Sequence, residues 1–185
     1  KYNPKWGMGD IIIKDRTGEG VINDEDRTVI GNSIPRFTFG LNLGFEYKGF
    51  DFSCFFQGVG KADGYVTMEA IQPMGINGAR KEHYKESFNP QDPKPGAYFP
   101  RILSSDYNYA YMSHWVQDAS YIRLKNLQIG YSFKIKGLNQ LRVYASGENL
   151  FTATKYRTWD PETPVGARGF YPNVAVYSMG VNLNF

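Results

Sequence analysis

The 185-residue chain has one cysteine, Cys54, and two histidines, His83 and His114. A single thiol excludes an internal disulfide framework and leaves too few soft ligands for a structural zinc site. Neither histidine has a partner at a spacing that suggests a metal site or a catalytic triad, so no bond-making chemistry is expected and the chain is not read as an enzyme. The 21 basic and 18 acidic residues give a net charge of +3. They are scattered, so there is no basic stripe to hold a phosphate backbone, which excludes nucleic acid as a partner. No run reaches the roughly 18 apolar residues of a membrane-spanning helix, and Lys1 opens straight into "YNPKWG" without a signal-peptide pattern. Helical membrane proteins are excluded; β-barrels are not.

What the chain does have is 14 Tyr, 13 Phe and 20 Gly, a composition that favours strands and turns. In "FTFGLNLGFEY", Phe37 to Tyr47, every odd position is apolar or aromatic and every even one is Thr, Gly, Asn or Glu, the period of two of a strand with one apolar face. After the tight turn "YKGF" the pattern resumes in "FDFSCFFQ", with Phe55 as an exception, so this pair reads as a hairpin. "LQIGYSF", "LRVYASGEN" and "YSMGVNLNF" alternate in the same way. Ile122 and Leu124 sit in the opposite phase to Leu127 and Ile129, which predicts a β-bulge near Asn126.

These five strands have about the length that crosses a bilayer when tilted. A soluble sandwich would also alternate, but its water-facing side would be rich in Lys and Glu rather than Gly, Asn, Ser and Thr. The connections alternate in length too: short at 47–49 and 134–139, long at about 59–118 and 151–173. Short turns at one end and long loops at the other are the outer-membrane barrel pattern. An open five-stranded sheet with one greasy face would aggregate through its edges, so the chain is expected to be part of a larger closed barrel. The fold class is therefore all-β, an antiparallel transmembrane β-barrel segment. Residues 1–36 are set apart as a loop region and 37–185 as C-terminal barrel strands with long outer loops. A helical piece is expected around Gly78 to Phe88.

Four long segments carry a resemblance. "GDIIIKDRTGEGVINDEDRTVIGNSIPRFTFGLNLGFEYKGFDFSCFFQG", "YFPRILSSDYNYAYMSHWVQDASYIRLKNLQIGYSF", "LRVYASGENLFTATKYRTWDPE" and "YPNVAVYSMGVNLNF" resemble the C-terminal part of SusC/RagA-type TonB-dependent outer-membrane transporters. The resemblance implies a 22-stranded barrel in the outer membrane of a Gram-negative bacterium, closed by an N-terminal plug, capped by a SusD-like lipoprotein and energised by the TonB complex. It implies import of oligosaccharides or peptides. Plug and TonB-contacting segments have no counterpart in the sequence, so a fragment or one piece of a divided polypeptide is expected. A siderophore-type receptor and a soluble calcium-dependent carbohydrate-binding β-domain are the alternatives.

"DRTGEGVINDED" has the spacing of an EF-hand loop, with Asp15, Thr17, Glu19, the carbonyl of Val21, Asn23 and Asp26 as calcium candidates and a glycine at the sixth place. With the last strand ending on the periplasmic side, five crossings put this loop outside the cell. Thr17 and Glu19 depart from the usual Asn and Asp, and Asp26 is shorter than a bidentate Glu, so a self-capped Asp/Asn/Gly turn competes with an ion site. In "SSDYNYAYMSHW", Tyr107, Tyr109, Tyr111 and Trp115 are candidates for stacking on substrate or anchoring the lid, against packing of the loop itself. "RTWDPETPVGARGFYP" carries the same two readings. Phe185 closes the alternating "VNLNF", which in outer-membrane proteins resembling this one is presented to the assembly machinery.

Overall fold

The computed structural model describes residues 6–66, 68–73, 78–93, 95–103, 107–163 and 171–185. Its strands are β1 (Phe37–Tyr47), β2 (Phe50–Gly60), β3 (Asp63–Tyr65), β4 (Val116–Asp118), β5 (Tyr121–Phe133), β6 (Gln140–Thr154) and β7 (Val176–Asn184), with short helices α1 (Met68–Ile71) and α2 (Lys81–Glu86). The five long strands form one antiparallel sheet in the order β1-β2-β5-β6-β7, while β3 and β4 pair only with each other. Each long strand thus lies beside the next long strand of the sequence, the up-and-down arrangement of barrel walls. Among the described residues no helix is long and apolar enough to cross a membrane.

The turn between β1 and β2 holds two residues, Lys48 and Gly49, both with positive φ (49° and 87°). This is the backbone demanded by a two-residue type I′ hairpin, whose twist matches that of the strands it joins. Alternation then propagates across every ladder. Phe45, Phe52, Ile129, Ala145 and Met179 form one row, and Leu43, Cys54, Leu127, Gly147 and Tyr177 the next. Between them runs a row of Gly44, Ser53, Gln128, Ser146 and Ser178 on the opposite face. Phe39 and Phe45 keep 45% and 54% of their surface open, and Met179 keeps 90%. A continuous apolar face this exposed is far larger than water-soluble monomers tolerate.

The bulge falls at Lys125. Phe55 pairs with Asn126 and Phe56 with Leu124, so Lys125 has no partner on β2, and the β5–β6 ladder shifts at the same place. The extra residue reverses the phase of β5 and keeps Ile122 and Leu124 on the apolar face. It also places Tyr121 and Arg123 on the polar face, where Gln57 lies opposite Arg123. Phe55, the exception to the alternation, lies on that polar face over Gly40, where an added Cβ would meet its ring at 3.0 Å.

The described chain divides into two compact units. One gathers residues 32–64, 117–163 and 171–185 and contains the sheet; the other gathers the described residues within 6–31 and 65–116. The first segment, set apart in the sequence, therefore packs with the long loop. Asp10 receives both Nε and Nη2 of Arg101 (2.7 and 2.6 Å), and Asn108 Oδ1 accepts the Ile11 N–H (3.0 Å). The core of this unit includes Trp115, Tyr109, Ile71 and Val66, all at 1% exposure or less. The helix expected over Gly78 to Phe88 is the shorter α2, and α1 was not foreseen.

Candidate functional site

In the Asp15–Asp26 loop the side chains turn inward. Asp26 accepts N–H groups from Arg16 (2.6 Å), Thr17 (3.2 Å) and Asn23 (3.0 Å), and Asp15 accepts those of Gly18 (2.6 Å) and Gly20 (2.7 Å). The amides of Asn23 and then Arg16 hold the Asp26 carboxyl below the usual carboxylate range. Asn23 caps a 3₁₀ turn at Asp24–Asp26 through Glu25 N–H, and its amide bonds the Glu19 carboxylate. Val21 is exposed on this turn. Backbone amides and the Asn23 side-chain amide thus meet the carboxylate oxygens of Asp15, Glu19 and Asp26. The bonds made by Asp15, Asn23 and Asp26 are those of a self-capped turn.

The four aromatic candidates separate. Trp115 is fully buried and its Nε1 donates to the Asn108 carbonyl (2.9 Å); Tyr109 is buried beside it. Tyr107 donates to the Ile11 carbonyl (3.1 Å), and burial together with the nearby Asp10 charge pushes its hydroxyl up to about 12. Only Tyr111 projects outward, 86% exposed and stacked on Tyr65 (5.1 Å). Phe185 follows the end of β7 and is exposed.

Sequence reading did not single out the densest polar constellation. Two positions on β5 and one at its bulge, Tyr121, Arg123 and Lys125, meet two carboxylates of the loop after β6, Asp160 and Glu162. Arg123 is 2% exposed. Its Nε donates to Thr152 Oγ1 (2.8 Å), Nη1 to Glu162 Oε2 (2.9 Å) and Nη2 to Asp160 Oδ2 (2.8 Å). Lys125 Nζ lies 2.7 Å from Glu162 Oε1, and the Tyr121 hydroxyl donates to that same oxygen (3.0 Å). Asn173 also donates to Glu162, and Gln57 donates to the Tyr121 hydroxyl (3.2 Å). Two cations face two carboxylates, so the cluster is charge-balanced; Arg123 is buried, while Asp160, Glu162 and Lys125 are part-exposed. The added hydrogen bonds from Thr152, Tyr121 and Asn173 help to offset the desolvation of the buried guanidinium. A cavity of about 420 Å³ opens beside it, lined by Gln57, Asp63, Tyr121, Lys125, Tyr156 and Glu162 among others. Of the stretch "RTWDPETPVGARGFYP", residues 164–170 lie outside the described residues.

A second ion pair sits on the polar face nearer the short turns. Arg142 Nε donates to Asp51 Oδ2 (2.9 Å) and its Nη2 also reaches Gln128 (3.2 Å). Gly130 makes room for it: an added Cβ would lie 2.5 Å from Asp51 Oδ2. Charges on this face and none in the facing apolar rows are the signature of a wall with lipid on one side and a polar interior on the other.

No family model matches the chain. Among curated proteins it is 34% identical to the TonB-dependent receptor P3 of Formosa agariphila, a match over 96% of this chain and 19% of the relative. It is 27% identical to the TonB-dependent receptor SusC of Bacteroides thetaiotaomicron over 94% of this chain and 17% of that protein. The chain thus spans about a fifth of the length of these relatives. Among solved structures, the RagAB peptide transporter superposes with a TM-score of 0.71 at 23% identity, covering 89% of this chain and 19% of the transporter chain, a likeness of fold. The RagAB peptide importer in its open-open state gives 0.66 at 24% identity, over 84% of this chain and 18% of that one.

Proposed function

Because the chain belongs to the TonB-dependent receptors of the SusC/RagA type, we propose that it supplies wall, interior surface and outer loops to a nutrient importer of the Gram-negative outer membrane. The observation that carries this reading is the meander of five strands with an exposed apolar face, a polar face that holds the ion pairs of Arg123 and Arg142, and long connections at only one end. Lipid covers the apolar face, further barrel strands complete the edges at β1 and β7, and a plug fills the interior. The cargo is an oligosaccharide or a peptide, delivered with a SusD-like lipoprotein, and the TonB complex drives its release inward. Transport requires position and charge along the wall, with no bond made or broken.

The test is growth of the bacterium on its glycan or peptide with the full-length transporter intact and TonB removed. Lost growth and recovery of the transporter with a lid lipoprotein from outer membranes are expected; normal growth without TonB overturns the assignment. Phe185 is read as an element recognised during assembly: it ends an alternating strand and stays exposed. Its deletion is expected to lower the outer-membrane level of the transporter sharply, whereas a girdle residue costs only about 1.5–3 kcal/mol of burial that a complete barrel withstands. Near-normal levels after deletion refute the assembly role.

A further inference from the structure

The cluster around Arg123 is built in an unusual way for a wall. Its cations sit on the sheet, at Arg123 in β5 and Lys125 in the bulge, and its anions sit on a loop, at Asp160 and Glu162. Tyr121 O–H and Lys125 Nζ both address Glu162 Oε1, and Arg123 spreads its two Nη groups over both carboxylates. The floor is therefore a preorganised set of donors on one strand and its bulge, with Tyr121 and Arg123 buried and Lys125 part-exposed at the cavity, an arrangement suited to binding anions. The carboxylates are two residues apart on a connection that leaves β6 at Thr154. Glu162 N–H donates to Asp160 Oδ1 (2.9 Å), so the two acids hold each other in place. The cavity of about 420 Å³ opens against Lys125 and Glu162, which gives a solute access to this pair.

We propose that Tyr121, Arg123 and Lys125 form an anion-binding site, for a dicarboxylate or a group of similar charge and span, that Asp160 and Glu162 of the chain's own loop occupy in this structure. The loop and an incoming anion compete for the same donors. Loop carboxylates seated on the floor close the site; an anion seated there frees the loop from the sheet, so arrival of an anionic group is converted into loop release. The site concerns this chain's own residues and stands apart from which nutrient the importer carries.

The experiment uses the full-length transporter purified in detergent, with malonate as probe and neutral malonamide as control at equal ionic strength. Lys155 and Arg157 flank the start of the loop and are exposed, so trypsin cleavage there reports loop release. In the unaltered protein, malonate is expected to speed cleavage after Lys155 and Arg157 in a saturable way and malonamide to leave it unchanged. Calorimetric titration is expected to show at least tenfold tighter malonate binding in the Asp160→Asn/Glu162→Gln double variant, and loss of that binding when Arg123→Gln is added. Cleavage of the unaltered protein that responds equally to both compounds or to neither overturns the proposal. A double variant that retains its barrel by heat-modifiable mobility on gels yet binds malonate no better also overturns it.

Discussion

Truncation of Trp115 separates a loop-packing role from a ligand-contact role. The indole is fully buried, in ring contact with Tyr98, Phe99, Tyr109 and His114, and its N–H is bonded to Asn108, itself fully buried. A buried tryptophan removes about 150–250 Å² from water, which at about 25 cal/mol per Å² amounts to about 4–6 kcal/mol. Residual compaction of the unfolded loop lowers this to about 3–5 kcal/mol, the range seen for core Trp→Ala changes. Trp115→Phe keeps most of the ring but orphans the Asn108 carbonyl, at about 1–3 kcal/mol. Since 1.4 kcal/mol is tenfold, trypsin cleavage after Lys81 and Lys85 of α2, which is linked to Trp115 through His83 and Phe99, is expected to rise by about a hundredfold or more for Trp115→Ala and by about five- to a hundredfold for Trp115→Phe, where local opening precedes cleavage. The assay is timed proteolysis of the full-length protein, with uptake measured in parallel. Wild-type cleavage rates in Trp115→Ala refute the packing argument, and lost uptake at unchanged cleavage returns the residue to the ligand-contacting set.

Gly49→Ala should reduce the folded fraction on unheated gels more than Gly137→Ala. Both sit at positive φ (87° and 93°), but a Cβ at Gly49 meets the Ser132 carbonyl at 2.7 Å while Gly137 has open space; equal effects would discard the steric reasoning. Burial lowers the pKa of His83, whose Nδ1 accepts the Arg80 N–H (3.1 Å) and whose Nε2 faces the Ala70 carbonyl (3.1 Å). Its folded-state pKa lies below the unfolded 6.5, so its contribution is complete above pH 6.5 and is lost as pH falls below it. Cleavage in α2 should accelerate between pH 7 and pH 5, and His83→Gln should flatten that profile; a flat wild-type profile contradicts the assignment. For the Asp15–Asp26 turn, excess chelator should leave trypsin cleavage after Arg16 and Arg27 unchanged, and chelator-induced cleavage would put an ion back in the loop.

The sheet was legible because its signal is local. Strict alternation from Phe37 to Tyr47 delimits β1 to the residue, and the reversed phase of Ile122 and Leu124 announces the bulge one residue from where it lies. Where side chains rather than periodicity decide, the sequence was silent. Arg123 and Asp160 are 37 residues apart, and no spacing rule joins a strand to a distant loop. Two basic residues within "YIRLK" of a wall strand, with "DPE" in an outer loop, were the available hint. The aromatic stretch was ambiguous for a related reason: Tyr109 and Tyr111 are two residues apart yet 1% and 86% exposed, because a 3₁₀ turn at Tyr107–Tyr109 breaks the simple alternation.

The long insertion between β2 and β5 is closed on itself. Val66 N–H bonds the Trp115 carbonyl (3.1 Å), and nearer the sheet Ala119 N–H bonds the Ala62 carbonyl (2.8 Å). Loop-closure entropy grows only as the logarithm of length, about 0.6 kcal/mol per doubling, and here the ends are already tied. For the wall, some sixty residues of insertion weigh little more than a tight turn. Residues between Val66 and Trp115 can therefore lengthen, shorten or be exchanged over evolutionary time while the register of β2 against β5 stays fixed, which lets the loop diversify at a pace the sheet does not share.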